Sequence, residues 1–233
     1  MAKRPVFVIG ERIIDIKEIE FTWYPGFAPS QKIKSIIDLH KSYIKLNPSH
    51  RVLEISSKST EPLGQALSAF NLIVNIDGKD ISFESLFQGS KVFENGGPFE
   101  DILWTSAINA KRDVRLRTSG DIVGFRLLGE DWPSEPKTFF YDWMYIKAVA
   151  DKPELLEKLL EYDAFTDIEF NPKKSLNCQA KAAALIVTLY KGGFLQDVLS
   201  EPKLLKNFYS EETQTKPKRT ASEGPDQEQL KLF

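Results

Sequence analysis

The feature that most limits how this chain can fold is an abrupt loss of apolar residues after Tyr209. Residues 210–226 read SEETQTKPKRTASEGPD, in which Ala221 is the one apolar residue. A segment of this kind cannot bury enough surface to offset the entropy that is lost on ordering it. The sequence therefore predicts one folded domain over residues 1–209 and a disordered tail over residues 210–233.

The scarcity of histidine and cysteine excludes several kinds of site. The 233 residues include one cysteine, Cys178, and two histidines, His40 and His50. With so few ligands and nucleophiles, we expect no intrachain disulfide, no structural zinc site of usual composition and no histidine-based catalytic triad. We predict that the protein uses no metal and no other cofactor.

Composition also bears on the location of the protein and on its partners. The formal net charge is -2, which excludes histone-like coating of nucleic acid but leaves a local basic patch open. No run approaches the ~20 apolar residues of a bilayer span, and the first residues lack the apolar stretch of a secretory signal. Together with the single cysteine, these features predict a protein of the reducing cytoplasm with no membrane partner.

Hydrophobic periodicity predicts short strands early in the chain and mainly helices later. Predicted strands lie at Pro5–Ile9, Lys17–Trp23, Arg51–Ser56, a hairpin across residues 72–81 with its turn at Asp77-Gly78, and Asp167–Phe170. Predicted helices lie at Ser30–Ile44, Thr60–Leu67, Ser82–Phe93, Phe99–Lys111, Thr138–Ala150, Pro153–Tyr162 and Leu176–Lys191. Because helix dominates after residue 82, we predict the α+β class, as a mostly helical single domain whose residues 1–50 form an N-terminal extension.

The predicted helix at Ser82–Phe93 carries the first candidate site. At ~100° per residue, Glu84, Gln88 and Lys91 fall within an arc of about 60° beside an apolar stripe. A carboxylate, an amide and an amine along such an edge can supply acid and base catalysis. On spacing alone, a solvated helix border with weak side-chain pairing is the simpler explanation.

Two polar segments around residue 60 carry the second candidate. The sequence SSKS, which includes Ser57 and Lys58, follows a predicted strand, and Phe70-Asn71 follows a short helical turn. Hydroxyls and an amine at a strand end can bind phosphate, or the lysine can act as a nucleophile if its pKa is depressed. An ordinary polar loop is the simpler explanation here too.

Carboxylates among apolar residues form the third candidate. Glu169 alternates with apolar neighbours on its predicted strand, so its carboxylate is either solvated or lines a cleft in which it activates water. Asp142 and Trp143 lie in the apolar sequence FFYDWMYIKA, where a buried carboxylate needs a partner. The densest basic stretch, residues 111–117, can contact phosphates, although a solvated helix end is the commoner explanation.

Taken in order, these motifs resemble the NADAR superfamily. The sequences SSKS…LSAFNL, FESLFQGSKVF and DIEFNP follow the order of that family's Ser-Lys segment, Ser-Asn-Phe stretch, Glu-x-x-x-Gln-x-x-Lys helix and Leu-Val-Glu strand, over about residues 54–175. The phrases WYPGFAPSQKIKSIIDLH and EISSKSTEPLGQALSAFNL are more similar still to the NADAR branch that serves as antitoxin to DarT-type DNA ADP-ribosyltransferases. The chain departs from the pattern in reading Ser-Ala-Phe-Asn for Ser-Asn-Phe and in lacking the later Trp-Gly.

The resemblance implies a glycohydrolase that removes ADP-ribose from guanine bases in DNA and so reverses a DarT-type toxin. It implies Glu169 or Glu84 as general acid and base, and Lys91 more than Lys58 as the amine that stabilises charge or forms a Schiff base. The expected substrate contacts are Ser57, Lys58, Phe70, Asn71, Gln88, Asp142 and Trp143, with Phe70 or Trp143 stacking on a flipped or single-stranded base. The alternatives are an N-glycosidase acting on a small metabolite and a non-catalytic module that binds ADP-ribose or neutralises the toxin.

The tail contains a second recognition motif. Gln229, Leu230, Leu232 and Phe233, in the sequence QLKLF, resemble the pentapeptide that binds the bacterial sliding clamp through a hydrophobic pocket. The resemblance implies that the clamp is a partner and that tethering would concentrate the enzyme on replicating DNA. A tail that folds back on its own domain, or a chance match, is the alternative.

Overall fold

The computed structural model describes residues 1–26 and 28–209. Its strands are β1 (Ala2–Val8), β2 (Asp15–Phe21), β3 (Val52–Glu54), β4 (Ile73–Ile76), β5 (Lys79–Ser82), β6 (Lys91–Phe93), β7 (Ile122–Leu127), β8 (Glu130–Pro133) and β9 (Ala164–Thr166). Its α-helices are α1 (Pro29–Leu46), α2 (Pro62–Ala66), α3 (Phe83–Gly89), α4 (Ala107–Arg112), α5 (Arg115–Thr118), α6 (Phe139–Ala150), α7 (Pro153–Leu159), α8 (Gln179–Lys191) and α9 (Leu195–Ser200), with 3-10 helices at Glu100–Trp104 and Pro202–Phe208. Within the described ranges, no helix combines the length and the apolar character needed to cross a bilayer.

A mixed four-stranded sheet in the order β2-β1-β9-β3 organises the molecule. β1 runs antiparallel to both β2 and β9, whereas β3 runs parallel to β9. β9 is the last of these strands in the sequence, yet it lies between β1 and β3 with all three of its residues buried. Residues 1–50, which we expected to be an extension, supply β1 and β2 to this sheet.

The alternation of side chains along β1 explains how both faces of the sheet are covered. Val6 and Val8 point to one face, where they cluster with Leu39 and Tyr43 of α1. Phe7 points to the other face and joins the larger core, which includes α6 and α8. Most of α8 is buried, because its sequence QAKAAALIVTLYK is rich in small and apolar side chains.

The hairpin predicted across residues 72–81 is confirmed as the pair β4 and β5. Asp77 and Gly78 at its turn both have positive φ, 51° and 78°. A two-residue turn of this kind matches the twist of the flanking strands and favours Asp-Gly, because glycine adopts positive φ without steric cost. The prediction succeeds because the chemistry of this turn is local.

The helix predicted at Ser82–Phe93 is too long, since α3 ends at Gly89 and β6 follows. A Cβ at Gly89 would lie 2.7 Å from a side-chain carbon of Leu103, so a larger residue would clash where the helix ends. The Ser90 carbonyl then accepts a 2.7 Å hydrogen bond from an amide of β7, which draws the chain into the sheet β6-β7-β8. Lys91 therefore lies on a strand and not on the predicted helix.

Two further local predictions are wrong. The helix predicted at Phe99–Lys111 is divided into a 3-10 helix and α4, because the Ser106 hydroxyl caps a new helix by accepting from the Asn109 amide. The strand predicted at Asp167–Phe170 lies earlier, at β9, and a turn follows it. Strands also occur well after residue 82, although the predicted α+β class is confirmed.

Candidate active site

Glu84, Gln88 and Lys91 form a continuous hydrogen-bonded chain. The Lys91 amine donates to Gln88 Oε1 at 2.6 Å, and Gln88 Nε2 donates to Glu84 Oε1 at 2.9 Å. Glu84 and Gln88 are nearly buried on α3, with 6% and 8% of their surface exposed. The structure thus brings the first candidate set together, although Lys91 reaches it from β6.

The surroundings of Lys91 make its amine easier to deprotonate than that of a solvated lysine. The amine lies 4.7 Å from the centre of the Phe87 ring, a contact that stabilises the charged form. Burial lowers the pKa of Lys91 to about 8, with Glu84 opposing this shift and the charge of Lys111 adding to it. About half of the Lys91 amines are therefore neutral at pH 8, which is the condition for a lysine to act as a nucleophile.

Lys91 lines an open cleft of about 830 Å³. Phe87, Phe93 and Phe125 give the cleft a strongly aromatic wall. The remaining lining residues are Leu116, Gly120, Asp121, Ile122, Ser134, Glu135, Lys137, Leu176 and Asn177. Sites that enclose nucleotide-sized ligands combine such an apolar wall with a few polar groups.

Gln179, at the start of α8, joins segments that are far apart in the sequence. Its side-chain oxygen accepts from the Ala69 amide at 2.6 Å, and its nitrogen donates to the Ile55 carbonyl at 2.6 Å. The Ala69 carbonyl in turn accepts from the Glu84 amide at 2.9 Å. The segment after β3 and the segment before β4 are therefore fixed beside the N-terminus of α3.

The second candidate set lies on these two fixed segments. Lys58 is half-buried, and its backbone amide donates to the Ser56 hydroxyl at 3.2 Å, whereas Ser57 is exposed. Phe70 lies under Lys111, whose amine is 5.0 Å from the centre of its ring. Asn71 is exposed and donates to the carbonyl of Gln65 at 2.9 Å, which closes a local turn.

Glu169 is exposed on the turn after β9, next to the buried Glu54 and the half-buried Asp167, to which the sequence patterns assigned no role. Glu54 is 2% exposed, and it accepts from the Thr166 hydroxyl at 2.6 Å and from the Ile168 amide at 2.8 Å. Asp167 accepts from the amides of Glu169 and Phe170. Burial raises the pKa values of Glu54 and Asp167, and the charge of Glu169 adds to both shifts. The charge of Glu54 raises the pKa of Asp167 further.

His40 supports this carboxylate cluster from α1. Its Nε2 lies 2.8 Å from the oxygen of the Thr166 hydroxyl, which donates to Glu54. Burial lowers the pKa of His40 to about 4, so the ring is neutral at pH 7. The ring then donates from Nε2 to Thr166, and this chain of hydrogen bonds fixes the Glu54 carboxylate.

Tyr141 connects the two halves of the site and was missed by sequence reasoning. Burial raises the pKa of its hydroxyl, and the nearby charges of Glu84 and Asp167 raise it further. Its ring packs edge-on against Phe83 and Phe87, with centroids 5.1 and 5.0 Å apart. The sequence could have indicated Tyr141 only through its neighbour Asp142, which was singled out and lies on the same helix but on a different face.

Asp142 and Trp143 have partners within the protein. Asp142 is fully buried, and its Oδ2 accepts from Lys181 Nζ at 2.9 Å and from the Tyr209 hydroxyl at 3.1 Å. Trp143 stacks on Trp132 with ring centres 4.3 Å apart. Among the described residues, Asp142 Oδ1 and Trp143 Nε1 are nevertheless buried without a hydrogen-bond partner.

The basic stretch at residues 111–117 is divided between two environments. Arg115 pairs with Asp101 at 2.6 Å and with Asp113 at 2.7 Å, whereas Lys111 lies over Phe70. Gln229, Leu230, Leu232 and Phe233 lie outside the described residues. Within the ranges that are described, no group of three or more His, Cys, Asp or Glu side chains is arranged to hold a metal ion.

Comparison with known proteins identifies the family. A family model described as NADAR-DarT1, DarT1-associated NADAR antitoxin, matches residues 2–219. A search of curated proteins returned no match. Because the family match covers nearly the whole chain, this protein belongs to the DarT1-associated NADAR antitoxins, as the order of its motifs predicted.

Proposed function

We propose that this chain is an antitoxin-type glycohydrolase that removes ADP-ribose from guanine bases in DNA, and that it thereby reverses a DarT-type toxin in the cytoplasm. The observation that carries the proposal is the chain Glu84–Gln88–Lys91, which ends at the wall of the aromatic cleft. Membership of the DarT1-associated NADAR antitoxins supports a functional pairing with such a toxin.

The cleft suits the ADP-ribose part of this substrate. Its volume of about 830 Å³ is within the ~300–1,000 Å³ typical of small-molecule sites. Phe93 and Phe125 offer apolar surface for an adenine ring, and Lys91 and Lys137 provide positive charge for the pyrophosphate.

The proposed reaction uses the neutral amine of Lys91. When the bond between ribose C1″ and the ring oxygen breaks and that oxygen takes a proton, the guanine nitrogen forms an iminium bond to C1″. Lys91 adds to C1″ and loses a proton, and the guanine amino group leaves with a proton from a carboxylic acid. Water then hydrolyses the lysine imine, which releases ADP-ribose and restores the amine.

Two carboxylates are candidates for these proton transfers. Glu84 is nearly buried and is linked to Lys91 by the Gln88 amide, which orients the amine. Glu169 is exposed on a turn that Glu54 and Asp167 hold through backbone amides. We assign the proton transfers to Glu84 and Glu169, and the variants Glu84→Gln and Glu169→Gln show which of the two is the principal proton donor.

The test is to incubate the protein with a single-stranded oligonucleotide that carries ADP-ribose on guanine, and to follow free ADP-ribose by liquid chromatography. We expect release by the wild type. Release from a small ADP-ribosylated or N-glycosylated metabolite but not from DNA would favour a metabolite N-glycosidase. Tight binding of ADP-ribose with no turnover of either substrate would favour a non-catalytic module.

Borohydride trapping during turnover tests the Schiff base. We expect a stable adduct on Lys91, located by peptide mass spectrometry, that is lost in Lys91→Met and kept in the matched variant Lys58→Met. An adduct on Lys58 would transfer the nucleophilic role to that residue. In the same assay, whichever of Glu84→Gln and Glu169→Gln lowers kcat by about 10²-fold or more identifies the principal proton donor.

A second partner is proposed from sequence alone, because Gln229–Phe233 resemble the clamp-binding pentapeptide. We expect the full chain to be retained on immobilised bacterial sliding clamp, and the double variant Leu232→Ala/Phe233→Ala to be lost from it. Equal retention of both proteins would remove the clamp as a partner.

A further inference from the structure

An exposed aromatic and basic surface lies beside the candidate active site. It consists of the exposed residues Lys79, Trp104, Ile108 and Lys111 and of the half-buried Phe70. The Lys79 amine lies 4.7 Å from the centre of the Trp104 ring, as the Lys111 amine lies 5.0 Å from that of Phe70. Trp104 and Ile108 are 54% and 52% exposed, so packing within the described part of the chain does not account for these large apolar side chains.

This surface is continuous with the site. Phe70 follows directly after the backbone carbonyl that accepts from the Glu84 amide. Lys111 is near enough to Lys91 for its charge to lower the pKa of that amine. The pair of Phe70 and Lys111 therefore lies next to the site, and Trp104 comes shortly before α4, the helix that carries Lys111.

The two pairs of ring and ammonium group have the chemistry of a platform for single-stranded nucleic acid. Bases of any sequence stack on exposed aromatic rings, and neighbouring lysines bind the phosphates. Three of the neighbouring carboxylates have partners, since Asp101 and Asp113 pair with Arg115 and Asp80 accepts from the Asn75 side chain at 2.9 Å. Their repulsion of a phosphate backbone is thereby reduced.

We propose that this surface binds the single strand of DNA that flanks the modified guanine, with bases stacked on Trp104 and Phe70 and phosphates bound by Lys79 and Lys111. The inference rests on the proposed function for the identity of the strand. ADP-ribose occupies the cleft, the strand runs over α4, and Lys91 lies where the two parts of the substrate meet.

The test measures binding of a fluorescent, unmodified 20-nucleotide single strand by anisotropy, which requires no turnover. We expect Trp104→Ala/Lys79→Ala to bind about 10- to 100-fold more weakly than the wild type, with a salt dependence reduced by about one unit. The matched control Tyr190→Ala/Lys158→Ala removes an aromatic ring that is 50% exposed and an exposed lysine elsewhere, and should bind like the wild type.

Two single variants keep the test decisive if the double variant does not fold. Trp104→Phe keeps a ring and should keep most of the affinity, whereas Lys79→Glu on the exposed hairpin should weaken binding by at least about ten-fold. Wild-type affinity in Lys79→Glu, or no binding by the wild type, would contradict the proposed binding surface. Binding that depends on Trp104 without any release of ADP-ribose would instead overturn the proposed reaction and leave the surface in place.

Discussion

Lys91 and Lys181 both lie among apolar side chains, but only Lys181 is hydrogen-bonded directly to a carboxylate. Lys181 donates directly to Asp142 at 2.9 Å, and the two side chains are only 7% and 0% exposed. Lys91 reaches Glu84 only through the amide of Gln88. The direct ion pair fixes the Lys181 side chain against Asp142. Lys91 makes no direct contact of this kind, and burial lowers the pKa of its amine to about 8.

This difference explains why two similar sequence patterns, an acidic residue within an apolar helix, lead to different environments in the structure. Asp142 and Glu84 are both acidic residues in apolar helices, and both attracted attention before the fold was known. The two acids differ in how the amine reaches them. Lys181 is 39 positions from Asp142 in the sequence but contacts it directly, whereas Lys91, on the strand after α3, contacts Gln88 and not Glu84. Asp142 and Lys181 pair with each other in the core, whereas Lys91, at the end of the α3–β6 chain, lines an open cleft.

The largest expected effect separates the two lysines by activity. Lys91→Met should lower kcat/KM for ADP-ribose release by at least ~10³-fold, because the covalent step loses its nucleophile. Lys181→Met should leave kcat/KM of the folded fraction close to the wild-type value. Steady-state kinetics on the modified oligonucleotide measure both, and comparable rates for Lys91→Met and wild type would remove Lys91 from the reaction.

The second effect concerns stability. Asp142→Asn leaves the Lys181 ammonium buried without its counter-charge, so the free energy of unfolding should fall by about 3 kcal/mol and the Tm by roughly 6–12 °C. The control is Asp151→Asn, which breaks the exposed 3.2 Å pair with Lys147 and should cost less than about 1 kcal/mol. Urea unfolding measures both free energies. Equal losses would contradict the prediction that the buried pair contributes more to stability than the exposed one.

The third effect converts one arrangement into the other. Gln88→Glu places a carboxylate directly against Lys91, which should raise the pKa of the amine and lower kcat at pH 7 by about ten-fold for each unit of that rise. The lost activity should return as the pH is increased. A rate reduced equally at all pH values would show that Gln88 matters for its geometry and not for its lack of charge.

The smallest effect is the pH dependence of the wild type. The pKa of Lys91 is lowered to about 8, and the reactive form is the neutral one, so kcat should rise with pH and level off above about 8. Between pH 7 and pH 8 the neutral fraction, and with it the rate, should increase about five-fold. A rate that falls over this interval would indicate that the charged amine is the active form.

Local patterns predicted much of the fold correctly. The Asp-Gly hairpin, the short helix at Pro62–Ala66 and the buried helices α6 and α8 follow from turn chemistry and hydrophobic periodicity. The end of α3 could not be read this way, because it depends on the contact of Gly89 with Leu103 and on pairing with β7. β7 and β8 are mostly exposed and carry no clear alternation of apolar and polar residues, so these strands were missed.

Part of the site could be predicted because some of its residues are close in the sequence. Glu84, Gln88 and Lys91 span only a few positions, so they were expected to be neighbours and are, although the predicted end of their helix was wrong. Glu54 and Tyr141 could not be found, because only the pairing of β3 with β9 and the packing of α6 on α3 bring them to the site. Long-range contacts of this kind leave no trace in a local pattern.

The position of β9 has a consequence for how newly made protein becomes competent. Its three residues must lie between β1 and β3, so the ribosome has to deliver residue 166 before the central sheet can close, and Gln179 before the segments around α3 are joined. At ~5–20 residues per second, synthesis to that point takes roughly 10–40 s. Partners more than 100 positions apart also slow folding, so an antitoxin molecule gains its site only after residue 179 has been made.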